Sequence, residues 1–249
     1  MDILFFYPRW GSDHLPWPSF LEKVKQTGYD GVEIGLLTDE DGNDKLLNLI
    51  EDFGLKFIIQ HYETSTPDFD QHFKEFTARV ERAAARKPFL INSHTGRDYF
   101  SFEQNSTLLY AAQSISQKYG VAIAHETHRG RFSFAAHVAQ TFLQFDWMDL
   151  TLDISHWFCV AESMLEDQQA VLDAVIPHIR HIHARYGYTQ SAQIINPREG
   201  QWQDVIERHL EIWDKIILHQ QNIQTVEMGI TTEFGPPPYL QVVPLVSRR

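Results

Sequence analysis

The 249-residue chain predicts a single-domain (β/α)8 barrel over residues 1–249. Three observations carry this expectation. Short apolar runs alternate with longer amphipathic stretches from end to end, and their starts fall roughly 30 residues apart, as in repeated βα units. The first run is followed by "YPRWGSD", which is unlike the GxGxxG loop that an open doubly wound sheet would place there.

The first strand, 3–7 ("ILFFY"), stops at Pro8 and lacks a basic leader, so it reads as a strand and not as a signal peptide. An amphipathic helix over 18–28 ends at Gly28, and strand 31–35 ("GVEIG") follows. The helix over 43–54 ends at Gly54 before strand 56–61 ("KFIIQH"), and a helix over 68–86 leads into strand 89–94 ("FLINSH"). The helix over 103–120 ends at Gly120; at all three stops glycine adopts a left-handed cap at little cost. The second half continues with strand 121–126 ("VAIAHE"), helix 133–145, strand 150–155 ("LTLDIS"), helix 167–179, strand 179–184 ("IRHIHA"), helix 201–221 and strand 229–234 ("GITTEF"). The eighth helix is expected to be short or missing, because Pro236, Pro237, Pro238 and Pro244 do not suit a helix interior.

Composition narrows the function. With 43% hydrophobic and 22% charged residues the chain is an ordinary folded domain. Lys and Arg number 21 against 33 Asp and Glu, and the net charge of −12 repels a phosphate backbone, so no nucleic-acid partner is expected. One cysteine rules out an intrachain disulfide framework and fits a reducing, cytoplasmic location. No apolar stretch approaches the roughly 20 residues of a membrane span, and no membrane partner is expected.

Barrel active sites lie at the C-terminal strand ends, and there the chain is polar: Glu33, His61, His94, Glu126, Asp153 with His156 behind it, His181 and His183, and Glu233. Taken singly, such a histidine is most often a hydrogen-bonded structural residue, and such a carboxylate a helix N-cap. Taken together, Glu126, Asp153 and Glu233 each follow an apolar run, and without a counter-charge around one barrel mouth they would repel by on the order of several kcal/mol. One divalent cation held by Glu126, Asp153, His183 and Glu233 removes that cost. Hard oxygen donors dominate the set, which favours Mn²⁺ or Mg²⁺ over Zn²⁺ or Co²⁺. His181 and His183 point to the same side of their strand, and His183 is nearer the mouth.

The motifs "HETH" (125–128), "LDISHW" (152–157), "HIHAR" (181–185) and "TTEFGP" (231–236), in this order and each ending a strand, resemble the xylose isomerase-like barrels of sugar isomerases, epimerases and endonucleases. "GYDGVEIG" (28–35) and "INSHTGRDYFSF" (91–102) extend the resemblance over nearly the whole chain. It implies metal ligation by Glu126, Asp153, His183 and Glu233, substrate contact by His156, and substrate or second-metal roles for His61 and His94. Two departures stand out. The family's HxKD continuation is replaced by "HARY", and the Asp-x-His pair of the nucleases is replaced by "QIINPREGQW" (193–202).

Such a cation would chelate a carbonyl and the adjacent hydroxyl of a sugar or polyol and stabilise an enediolate. Glu126 and Glu233 would remove and return the proton, giving isomerisation or epimerisation. Arg131 is a candidate to grip the substrate, and Glu33 a candidate contact. Trp10, Tyr99, Phe100, Trp157 and Phe158 are candidates to wall a sugar-sized pocket. A keto-polyol dehydratase is the neighbouring alternative, followed by an abasic-site nuclease and a non-catalytic sugar-binding barrel. The partner would be a small molecule, with homo-oligomers compatible. Metal-loaded protein is therefore expected to leave a duplex carrying one abasic site intact at low salt; cleavage that disappears in Glu126→Gln would put the nuclease first.

Overall fold

The computed structural model describes residues 1–240, in which eight parallel strands pair in chain order and β8 closes back on β1. The strands are β1 (Asp2–Pro8), β2 (Gly31–Ile34), β3 (Lys56–His61), β4 (Leu90–Ser93), β5 (Ile123–Glu126), β6 (Asp149–Leu152), β7 (Ile179–Ala184) and β8 (Glu227–Thr232). Helices α1 (Trp17–Gln26), α2 (Glu40–Asp52), α3 (Phe69–Ala84), α4 (Phe102–Tyr119) and α5 (Ala136–Phe142) fill the first five crossovers. Helices α6 (Ile154–Ala161) and α7 (Gln169–Val175) share the sixth crossover, and α8 (Gln203–Asn222) fills the seventh. Side-chain caps start several of them. Asp39 accepts from Gly42 N, Asp68 accepts from Gln71 N, and Ser101 with Gln104 forms a capping box. Gly28, Gly54 and Gly120 all take positive φ at helix ends, as expected.

One expectation changes and another holds. The sixth strand ends at Leu152 and not at residue 155, because the Asp153 side chain accepts from Ser155 N and turns the chain into α6. Among the described residues no helix follows β8; Pro244 lies outside them. No described helix is long and apolar enough to cross a membrane.

The barrel interior is built in two steps by the two-residue period of a strand. Its floor is apolar: Phe6, Ile58, Leu90 and Ala124 pack together. Gly31 completes this floor, because a Cβ there would meet the Phe6 ring at 2.5 Å. Two residues further along the same strands the same face turns polar. Gly31 gives way to Glu33, Ile58 to Gln60, Leu90 to Asn92 and Ala124 to Glu126, while His181 is followed by His183 and Gly229 by Thr231. The outer faces of the strands pack on the helices in two large apolar clusters, one running from α1 to α4 and the other around α5, α7 and α8.

Buried histidines make this packing sensitive to acid. His209 of α8 is fully buried among Phe158, Tyr186 and Trp213. Its Nδ1 donates to Val205 O at 2.8 Å and its Nε2 accepts from Gly187 N at 3.3 Å, which fixes the neutral tautomer. Burial lowers its pKa to about 4 although the Val205 carbonyl pulls the other way. Unfolded chain takes up a proton below about pH 6.5 whereas the folded ring resists until about 4, so in this window stability falls as pH falls, by up to about 1.4 kcal/mol per unit for this ring. Urea unfolding at pH 7, 6 and 5 is expected to show the stability advantage of the native protein over His209→Gln shrinking toward pH 5. A difference that stays constant would refute the assignment.

Candidate active site

Glu33, 2% exposed, anchors the polar layer of the barrel. His183 Nε2 donates to its two oxygens at 3.0 Å each, Asn92 Nδ2 donates at 3.0 Å, and Thr231 Oγ1 donates as well. Burial alone would raise the Glu33 pKa, but His183 reverses this and brings it down to about 2. Burial would likewise strip the proton from His183. Glu33, Glu233 and Glu126 together hold its pKa well above the usual imidazole value. Without metal the pair is thus an imidazolium on a carboxylate, and His183 Nδ1 gives up its proton when it ligates a metal ion.

Glu126 closes β5 on the same face. Its Oε2 accepts from Asn92 Nδ2 at 2.7 Å and from His94 Nε2 at 2.8 Å, and it lies 3.6 Å from His183 Nδ1. Burial opposes ionisation, yet His94 and His183 outweigh it and hold the carboxyl well below its usual pKa. Asn92 therefore spans Glu33 and Glu126 with one amide. The rings of His94 and His128 face each other at 4.4 Å, and those of His128 and His156 at 4.0 Å. Burial drives the His128 pKa to about 3.

The third centre is Arg185, directly after β7. Its Nε donates to Asp153 Oδ2 at 3.1 Å, and its Nη2 donates to the same oxygen and lies 3.2 Å from Glu233 Oε2. The guanidinium lies against the Tyr239 ring, with Cζ 4.6 Å from the centroid, and at 5.8 Å from Trp10. Trp10 is seated on Gly235, where a Cβ would fall 2.0 Å from the indole. Asp153 carries both readings offered by the sequence. Its Oδ1 caps α6, while its Oδ2 accepts from Arg185. Burial raises the Asp153 pKa, with Arg185 opposing and Glu233 and Glu126 adding to the rise.

Part of this set lines a cavity of about 670 Å³ at the C-terminal mouth, while the fully buried Asp153 and His183 lie behind its wall. Glu33, His94, Glu126, Arg131, Arg185 and Glu233 reach it, joined by Trp10, Trp17, Tyr62 and Tyr239. Several expected contacts do not. His61 follows the inward Gln60 and so faces outward; Ser93 and Thr64 occupy its two ring nitrogens, and Phe76 of α3 packs on it. Trp157 is fully buried on α6, donating to Ser133 O at 2.7 Å, and Phe158 is buried beside it. His156 lies fully buried behind Asp153 and Arg185. Tyr99 and Phe100 do not reach the cavity. Arg131 borders it, and its guanidinium donates to Thr64 O, His94 O and Tyr62 O, which ties the loops after β3 and β4 together. Conversely, no motif in the sequence marks Asn92, Tyr239 or the role of Arg185. The one available signal for Arg185 was a basic residue two positions past His183.

The donor set fits a divalent cation. Glu126, Asp153 and His183 each offer a ligand atom within 4.8 Å of the others. Glu233 stands outside that trio, yet its Oε2 approaches His183 Nδ1 to 3.3 Å, and both atoms are buried without a hydrogen-bond partner. Unpartnered buried donors of this type are what a metal ion satisfies. His94, Glu126 and His128 form a second possible group, and Glu33, His181 and His183 a third.

A family model described as the xylose isomerase-like TIM barrel matches residues 21–214. No curated protein sequence matches the chain. Among solved structures, the probable 3-DHS dehydratase AsbF involved in petrobactin synthesis from Bacillus anthracis is similar with a TM-score of 0.60 at 13% identity, covering 94% of each chain. An AP endonuclease of family 2 from Brucella melitensis gives a TM-score of 0.65 at 12% identity, covering 96% of this chain and 95% of that one. A xylose isomerase-like TIM barrel protein from Mycobacterium smegmatis, in complex with magnesium, gives 0.57 at 11%, covering 96% and 92%. At these identities the likeness is one of fold.

The Asn92 bridge makes a direct prediction. Asn92→Asp sets a third acid between Glu33 and Glu126 and removes the amide donor, which should cost about 3 kcal/mol of stability at pH 7. The added carboxyl is driven toward its neutral form, so the penalty belongs to the ionised state and should shrink as pH falls toward 5. Denaturant unfolding at the two pH values checks both the size and the sign.

Proposed function

The chain belongs to the xylose isomerase-like TIM barrel family, and from that premise we propose that it moves a proton next to a carbonyl of an unphosphorylated sugar or polyol, as an isomerase or epimerase. The observation that carries this reading is the placement of two carboxylates around one point. His183 Nδ1 lies 3.6 Å from Glu126 Oε2 and 3.3 Å from Glu233 Oε2, and both acids line the same cavity. When bound at Glu126, Asp153, His183 and Glu233, one divalent cation, Mn²⁺ or Mg²⁺ by the hardness of the donors, supplies polarisation of the carbonyl and its neighbouring hydroxyl.

The residues then divide the work. Glu126 is held ionised by Asn92, His94 and His183, which suits a fixed ligand more than a strong base. Glu233 Oε2 lacks a hydrogen-bond donor and is the freer oxygen to take the substrate C–H proton. Protonated Glu233 then hands the proton to the adjacent carbon for isomerisation; for epimerisation Glu126 returns a proton only after receiving one through His94, whose Nε2 meets its Oε2 at 2.8 Å. The cations of the cavity favour a neutral substrate. Arg131 is tied to three carbonyls and Arg185 to Asp153 and Glu233. Arg9 Nη2 donates to Asp13 O and Leu15 O, its Nε lies 4.0 Å from Asp13 Oδ1 and its guanidinium stacks on Trp17 and Phe20, so its charge is already matched by the loop after β1.

A dehydratase is the second reading, supported by Tyr239. Burial raises its pKa, so it keeps its proton, and its hydroxyl borders the cavity 3.4 Å from His128 Nε2. That phenol would protonate a β-hydroxyl leaving as water while Glu233 takes the C–H proton. The discriminating experiment incubates Mn²⁺-loaded protein with ketoses and keto-polyols, free and as phosphate esters, in D₂O. Deuterium at the reacting carbon with conserved mass otherwise supports isomerisation, loss of water supports dehydration, and a retained unexchanged hydrogen refutes both. Glu233→Gln should lower turnover by roughly 10² to 10⁴.

A further inference from the structure

We propose that Arg185 is a built-in counter-ion at the carboxylate centre, and that a divalent cation binds there only by displacing its guanidinium from Asp153 and Glu233 onto the Tyr239–Trp10 face. The proposal rests on the metal site of the preceding reading and adds the residue that sets its affinity.

Three observations and one electrostatic argument converge on it. Arg185 is 2% exposed and places Nε and Nη2 on Asp153 Oδ2, and Nη2 near Glu233 Oε2. Asp153 is one of the three residues whose atoms converge for a metal ion, and Glu233 flanks that trio. A guanidinium and a divalent cation sharing one carboxylate oxygen repel each other strongly in a sealed site. The Asp153 carboxylate has no spare oxygen, since Oδ1 is taken by Ser155 N and Oγ.

The same structure provides the refuge. Arg185 Nη1 is buried without a partner, so the guanidinium is not pinned on that side. The Tyr239 ring lies 4.6 Å from Cζ and the Trp10 ring 5.8 Å away, a surface that retains an arginine through cation–π attraction. That surface is braced: Trp10 and Tyr239 meet edge to face at 5.2 Å, and Gln193 holds Gly235 by hydrogen bonds to both its N–H and its carbonyl. Arg185 also borders the cavity, so once displaced it presents its donors to the substrate side of the metal.

The consequence is a fold that balances its acids without metal and binds metal weakly. Mn²⁺ affinity is measured by calorimetry without substrate, together with melting curves in EDTA and in Mn²⁺. Arg185→Gln should bind Mn²⁺ roughly tenfold or more tightly than the native protein, because the competing charge is gone. It should melt lower than the native protein in EDTA and recover in Mn²⁺, whereas native melting should be insensitive to EDTA. Arg185→Lys keeps the charge and should stay within a few-fold of native affinity. If Arg185→Gln is too unstable to titrate, the native protein decides. The Arg185 Nε–H resonance, assigned by its loss in Arg185→Lys, should shift as diamagnetic Mg²⁺ saturates the site. An Arg185→Gln affinity equal to or below native, or Mg²⁺ saturation that leaves the resonance unmoved, overturns the proposal. Either result leaves the proton-transfer reading standing, which fails separately if no substrate exchanges with D₂O.

Discussion

Four buried acids around two buried cations set the terms for everything else in this barrel. Glu33, Glu126, Asp153 and Glu233 are each at most 8% exposed, and in the metal-free barrel His183 and Arg185 are the cations set among them. Neither cation serves one acid alone. His183 bonds Glu33 and faces Glu126 and Glu233, while Arg185 joins Asp153 to Glu233. Removing one member of such a buried set typically costs about 3–5 kcal/mol, since its partners stay behind unpaired. The surrounding neutral groups serve this balance. Asn92 spans two acids, Thr231 donates to Glu33, and the half-buried ring of His128 and the buried ring of His181, with pKa values of about 3, add no charge.

The barrel wall makes such a centre affordable by separating it from an apolar floor within one strand step. Phe6, under the small face of Gly31, fills the axis below, so water has no route to the acids from beneath. The mouth above is aromatic on one side and carboxylate on the other, a surface suited to the C–H faces and hydroxyls of a polyol.

Much of this was legible in the sequence, for reasons that also explain what was not. Runs of apolar residues ending in acids placed Glu33, Glu126 and Glu233 at strand ends, and the strands over 56–61 and 179–184 match residue for residue. His61 and Gln60 show the limit. Both end β3, but alternation sends the amide inward and the imidazole outward, and a histidine draws the eye first. Asp153 looks like strand in the sequence because the apolar run continues through Ile154; the helix start depends on one side-chain hydrogen bond that no periodicity records. Trp157 was misplaced with it, since α6 turns its indole into the packing layer. Arg185 was invisible for a different reason. An arginine after a strand is ordinarily solvated, and only the fold of the following chain, with Tyr239 and Trp10 stacked over it, buries this one.

The seam between β1 and β8 bears on how the molecule is made. β8 pairs with β1 over five residues, Tyr29 meets Thr232 at 2.8 Å, and Lys56 pairs with Glu227. At the mouth, Trp10 rests on Gly235 and Tyr239. Contacts between residues so far apart in sequence require a large loss of chain entropy before they form, which slows folding. On a ribosome, the first seven strands emerge with a gap where β8 belongs, and Arg185 and Asp153 wait for Glu233 and Tyr239 to arrive. The nascent chain therefore holds its charged centre open until its last strand is synthesised, and completing the binding site is the same event as closing the fold.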